Sequence, residues 1–159
     1  MRKSLLKSFQ GSEGRRHLIE GLISQPLIAD RGLALAVERR LKLEEVPAGA
    51  MLIEQNASDT DLFLILQGEF SIAIGGRIVA RKRAGEYVGE MAVVDPRTPR
   101  SATVTATVDS VIARISEADF SDLADKYPRM WRRIAVELAS RLRNQNADAH
   151  EWKRAGCAG

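Results

Sequence analysis

Between residues 41 and 116 the chain breaks into short apolar runs separated by turn residues, and that rhythm leaves few architectures open. Residues 43–46 and 51–53 flank Pro47-Ala48-Gly49, giving strand, turn, strand. Residues 62–66 form an unbroken apolar run that stops at Gly68, and residues 70–74 alternate. Gly75-Gly76 then makes a two-residue hairpin turn into residues 77–80, because both positions tolerate positive φ. Two β-branched runs, 102–108 and 111–115, follow around Asp109-Ser110. Short strands at even spacing with turn signals between them predict a β-sandwich or barrel.

Helical periodicity brackets this region. Leu18, Ile19, Leu22 and Ile23 recur at helical spacing over residues 15–24, and Pro26 ends that helix. A second helix begins after Asp30 as N-cap and runs to about residue 40, with Leu33, Leu35, Ala36 and Val37 apolar. Together the two make an amphipathic cap over a sheet. Ser116 caps a further helix, with Asp119 as an imperfect capping box. Pro128 opens a longer helix bearing the stripe Met130, Ile134, Leu138, Leu142. This stripe is either core of the same domain or a face that changes partners. The layout is a single α+β domain: a helical segment 1–40, β-structure 41–116, helices 117–147, and a polar tail 148–159 expected to be disordered.

The chemistry concentrates in residues 85–104. Gly85 and Gly89 allow tight turns and close approach of a ligand to the backbone. Glu90-Met91-Ala92 opens one helical turn whose unpaired N–H groups attract an anion. Arg100 offers a planar fork of donors for phosphate oxygens, and Ser101 adds a hydroxyl. Glu90 is acceptor-only, suited to a sugar hydroxyl. An arginine and backbone amides for phosphate, with a carboxylate for ribose, describe a nucleotide monophosphate site.

Composition narrows the function by exclusion. A net charge of +3 with scattered arginines is no stripe for nucleic acid, and no apolar run is long enough to span a membrane. Cys157 is the one cysteine, so no internal disulfide forms and a reducing, cytoplasmic compartment fits. A metal-dependent cupin needs histidines on barrel strands, whereas His17 and His150 fall in the first helix and the tail. No Gly-Lys-Ser/Thr loop is present. No metal, cofactor or catalytic constellation is expected.

Val88-Gly89-Glu90-Met91-Ala92 followed by Pro99-Arg100-Ser101-Ala102-Thr103-Val104 resembles the signature of the cyclic nucleotide-binding domain. That module occurs in the catabolite activator protein, in regulatory subunits of cyclic-nucleotide-dependent kinases and in gated channels. Upstream, Gly49 with Leu52-Ile53, and the run from Phe63 to Glu69, also fit, so the likeness covers nearly the whole chain. Val88 departs from the usual phenylalanine, which costs packing under the turn but removes no ligand contact. The resemblance implies an eight-stranded antiparallel β jelly roll with N-terminal helices, a short phosphate-binding helix and a C-terminal helical lid. It assigns Gly89, Glu90, Met91, Ala92, Arg100, Ser101 and Ala102 to the ligand, Glu90 on the ribose 2′-hydroxyl and Arg100 on the phosphate.

Base contacts in this family come from the strand before the signature and from the last helix. Here these offer Arg81, Lys82, Arg83, Asn144, Gln145 and Asn146, with Thr103 in the signature itself. Trp131 is either a base-stacking ring or a core or dimer anchor. The opening residues, Val93-Val94-Asp95-Pro96 and the segment from Ser116 to Ile134 resemble the sensors of Toll/interleukin-receptor-like effectors in pyrimidine cyclase antiphage (Pycsar) defence. That implies cyclic UMP or cyclic CMP as ligand and an NAD-cleaving effector domain elsewhere in a longer polypeptide; a homodimer through the last helix is expected because most soluble homo-oligomers are twofold. The alternative is a cyclic AMP or cyclic GMP receptor domain of a regulatory protein or transcription factor. DNA binding is not expected, since few residues follow Asn146 and a helix-turn-helix needs more.

Overall fold

A computed structural model describes residues 4–156. Cys157 and the last two positions of the expected tail lie outside them. A 3₁₀ turn at Leu5–Phe9 leads into α1 (Gly11–Ile23) and α2 (Arg31–Glu38). Asp30 caps α2 as expected, its carboxylate accepting from Leu33 N at 2.8 Å. Strands β1 (Lys42–Val46), β2 (Met51–Ile53), β3 (Leu62–Gln67), β4 (Glu69–Ile74), β5 (Arg77–Arg83) and β6 (Tyr87–Val88) follow. A five-residue helix, α3 (Glu90–Val94), separates them from β7 (Thr103–Ala106) and β8 (Ser110–Ile115). Helices α4 (Glu117–Lys126) and α5 (Arg129–Gly156) close the chain.

The strands form two four-stranded antiparallel sheets, ordered β1-β8-β3-β6 and β2-β7-β4-β5, an α+β jelly roll. Gly75 and Gly76 have φ of 57° and 80° and join β4 to β5 as the dipeptide requires. The turn at Pro47-Ala48-Gly49 behaves differently from a hairpin. β1 pairs with β8 and β2 with β7, so this turn carries the chain from one sheet to the other. Asp109 braces the neighbouring corner, accepting from Ala48 N at 2.9 Å.

β3 is apolar from Leu62 to Leu66, and its first four residues are buried because both its faces are covered there. Leu62 and Leu64 pack with α1, α2, α4 and the start of α5, while Phe63 and Ile65 meet Phe70, Val88, Val104 and Ile112 between the sheets. Ser116 accepts from Asp119 N at 3.1 Å, starting α4. The α5 stripe divides: Met130 and Ile134 are buried, Leu138 is partly buried, and Leu142 is 59% exposed. Residues 148–156, expected as tail, continue α5. Alanines and long charged residues there favour helix without supplying an apolar face, so periodicity could not reveal it. Among the described residues no helix is long and apolar enough to cross a membrane.

Candidate functional site

A groove of about 670 Å³ lies between the second sheet and α5, within the size range of ligand pockets. Its apolar wall comes from Ile72, Ile74, Val79 and Val104. Tyr87, Val88, Gly89, Glu90 and Met91 line one end, and Leu138, Arg141, Leu142, Asn144 and Gln145 descend from α5.

Gly89 is the pivot. Its φ of 92° is left-handed, and a Cβ there would lie 2.7 Å from the Asp61 carbonyl oxygen and 2.8 Å from Arg100 Nη1. Only glycine fits such a position without strain. Gly89 thereby delivers Glu90 to the groove and accepts, through its own carbonyl, a hydrogen bond from Arg100 Nη1 at 3.3 Å. Glu90 and Arg100 are both buried, at 5% and 4% exposure, and meet at this glycine.

Arg100 is already well partnered. Nη2 and Nε donate to Asp59 Oδ2 at 2.6 and 3.2 Å, and Nη2 also reaches the Asp61 carbonyl at 2.7 Å. Phe63 lies under its guanidinium at 5.8 Å and under that of Arg114 at 4.8 Å. A guanidinium carries five N–H groups. These four bonds leave one, on Nη1 beside Gly89, with no partner among the described residues.

Glu90 meets a residue that the signature does not contain. Arg141 of α5 donates from Nη1 to Glu90 Oε1 and from Nη2 to Glu137 Oε1. Glu137 accepts the Tyr87 hydroxyl on its other oxygen, and Lys82 Nζ lies 3.6 Å away. Burial pushes the Tyr87 phenol well up, and the Glu137 carboxylate adds to the push. Burial would raise the Glu137 carboxyl, but the Tyr87 hydrogen bond and the charges of Arg141 and Lys82 hold it below its ordinary value. For Arg141 burial acts downward, and the charges of Glu90 and Glu137 outweigh it, raising its pKa.

The other expected residues divide. Gly89, Glu90, Met91, Arg81 and Gln145 line the groove, while Ala92, Arg100, Ser101, Ala102, Arg83, Thr103, Asn146 and Trp131 do not. Ala92 is buried, and Ser101 donates to Met91 Sδ at 3.4 Å. Thr103 Oγ1 accepts from Gln55 N at 3.0 Å. Arg81 and Arg83 are each tied to Glu69, at 3.1 and 2.9 Å. Trp131, partly buried, packs edge-on to Phe120 at 5.2 Å and donates from Nε1 to Asp125. Asp59, Tyr87, Glu137 and Arg141 escaped the sequence reading. Only the i,i+4 spacing of Glu137 and Arg141 beside Leu138 signals any of them.

The model of the cyclic nucleotide-binding domain matches residues 43–127, from β1 to the end of α4. The chain belongs to the cyclic nucleotide-binding domain family. It is 41% identical over 152 residues to the Pycsar effector protein BcPycTIR of Burkholderia cepacia, covering 94% of this chain and 50% of that protein. To XpPycTIR of Xanthomonas perforans it is 40% identical, covering 89% and 47%. It thus spans about half the length of these curated relatives. Among solved structures, a chain from a cyclic-GMP-dependent signalling pathway of bacterial phytopathogenesis superposes with a TM-score of 0.62 and 26% identity. That match covers 72% of this chain and 94% of the other. The regulatory domain of Toxoplasma gondii PKA in complex with cAMP gives 0.67 at 22% identity, covering 77% and 50%, a likeness of fold.

Proposed function

We propose that this domain is a cytoplasmic sensor of 3′,5′-cyclic UMP or cyclic CMP that reports through α5 to an effector domain in antiphage defence. The supporting observation is the meeting of Glu90 and Arg100 at Gly89, beside a groove of nucleotide size in a member of this family. The ribose 2′-hydroxyl donates to Glu90, and the phosphate takes the remaining Nη1–H of Arg100, with Ser101 and the amides of Met91 and Ala92 beside it. The base lies between the apolar wall and Gln145, whose amide offers both a donor and an acceptor to a pyrimidine edge. Identities near 40% to two Pycsar effectors support the pyrimidine ligand and the effector. The chain itself acts by binding, not by catalysis, and two copies associate through the exposed face of α5, since twofold pairs are the commonest oligomers.

A second reading, a cyclic AMP or cyclic GMP receptor, draws on the likeness to the cyclic-GMP pathway chain. Thermal-shift measurement against all four cyclic nucleotides separates the two. A ligand at a hundred times its Kd stabilises the folded state by about 2.7 kcal/mol, roughly 5–10 °C for a domain of this size. A shift confined to cyclic UMP or CMP supports the pyrimidine reading; one confined to a purine ligand replaces it, and no shift with any of the four rejects both.

A further inference from the structure

Glu90 Oε1 is occupied by Arg141, while no donor among the described residues reaches Oε2. The Glu90 side chain is 7% exposed, so its charge has little water to lean on and depends on that guanidinium. Arg141 does not act alone. Its second amine holds Glu137 one turn earlier on α5, and Glu137 in turn accepts from Tyr87, three residues before Glu90. The four side chains make one connected run, Tyr87–Glu137–Arg141–Glu90: two from β6 and the turn after it, two from α5. α5 has few other ties at this level, because its buried residues end at Ile134.

We infer that Arg141 is a positioning residue that sets ribose specificity and couples it to α5, by fixing Glu90 with one oxygen engaged and the other open to the 2′-hydroxyl. This rests on the reading of the groove as a cyclic nucleotide site. A carboxylate held with one oxygen engaged and the other facing the groove is a better acceptor than one free to turn away. Ligand contact at Oε2 then fixes Glu90 in the orientation in which Oε1 meets Arg141, so the bound state holds the turn and α5 together. Arg141 thus serves the ligand through Glu90.

The test uses the 159-residue chain and the tightest binder among cyclic UMP, CMP, AMP and GMP, paired with the 2′-deoxy form of the same nucleotide. A hydrogen bond to a charged group makes the ribose form bind roughly ten- to hundredfold more tightly in the native chain. In Arg141→Met, with R141Q as the alternative should that variant not fold, the ratio collapses toward one. In Arg141→Lys, which keeps a cation beside Glu90, much of the ratio returns. Hydrogen exchange supplies the second readout: ligand slows exchange over residues 135–145 in the native chain and not in Arg141→Met. Equal loss of both affinities, leaving the ratio unchanged, would mean that Arg141 only holds the helix down and would overturn the inference. A gain in ribonucleotide affinity would overturn it too, by making Arg141 a competitor for Glu90. If the native chain binds none of the four nucleotides, the site reading itself fails first.

Discussion

Arg100 directs two N–H groups at a single oxygen of Asp59, at 2.6 and 3.2 Å, although its own side chain is 3% exposed and that of Asp59 is 48% exposed. A buried cation is thus anchored from the solvent edge, with one donor left toward Gly89. The anchoring aims the guanidinium before any ligand arrives, which lowers the ordering cost of binding.

Arg100→Ala is therefore expected to weaken cyclic nucleotide binding by roughly 1.5–3 kcal/mol, the worth of a charge-assisted hydrogen bond. The melting point falls as well, because the Asp61 and Gly89 carbonyls lose their donor. Calorimetry on the folded variant checks this, and near-native affinity would remove Arg100 from the site.

Gly85 and Gly89 share a φ of 92° but not their surroundings. Nothing lies within 4 Å of a Cβ on Gly85, whereas at Gly89 the Asp61 carbonyl, a backbone atom that cannot swing aside, is 2.7 Å away. Gly85→Ala should carry only the conformational cost of about 1–2 kcal/mol. Gly89→Ala should cost more and displace Glu90 and Arg100 together. Urea unfolding of the two variants gives the comparison, and equal midpoints would contradict it.

Glu137 makes stability depend on acid. Its folded-state pKa lies below the ordinary 4.5, so its contribution is fully present above that pH and is lost as pH falls through the lower folded value. Melting points of the native chain should drop between about pH 5 and pH 3 more steeply than those of Glu137→Gln. Parallel curves would show that the Tyr87–Glu137–Arg141 run adds nothing to stability.

Base preference offers a contrast within adjacent residues. Gln145 lines the groove and Asn146 does not. Gln145→Ala should change the ranking of the four cyclic nucleotides in a thermal-shift panel, while Asn146→Ala should leave it intact. The reverse result would place the base elsewhere along α5.

Much of this molecule is written locally. Gly75-Gly76 turns a hairpin because of its φ values, Asp30 and Ser116 cap their helices three residues ahead, and Gly89-Glu90 announces the turn into the groove. Each depends on neighbours within a few positions, so residue type and period suffice to find it. Tertiary structure decided the long-range partners. It sent β1 to β8 rather than to β2, placed Asp59 on Arg100 across 41 positions, and set Arg141 on Glu90 across 51. Those pairings depend on how each sheet folds over the other and how α5 rolls against them. Periodicity marks which face of an element is apolar, but not which charged side chain arrives opposite it.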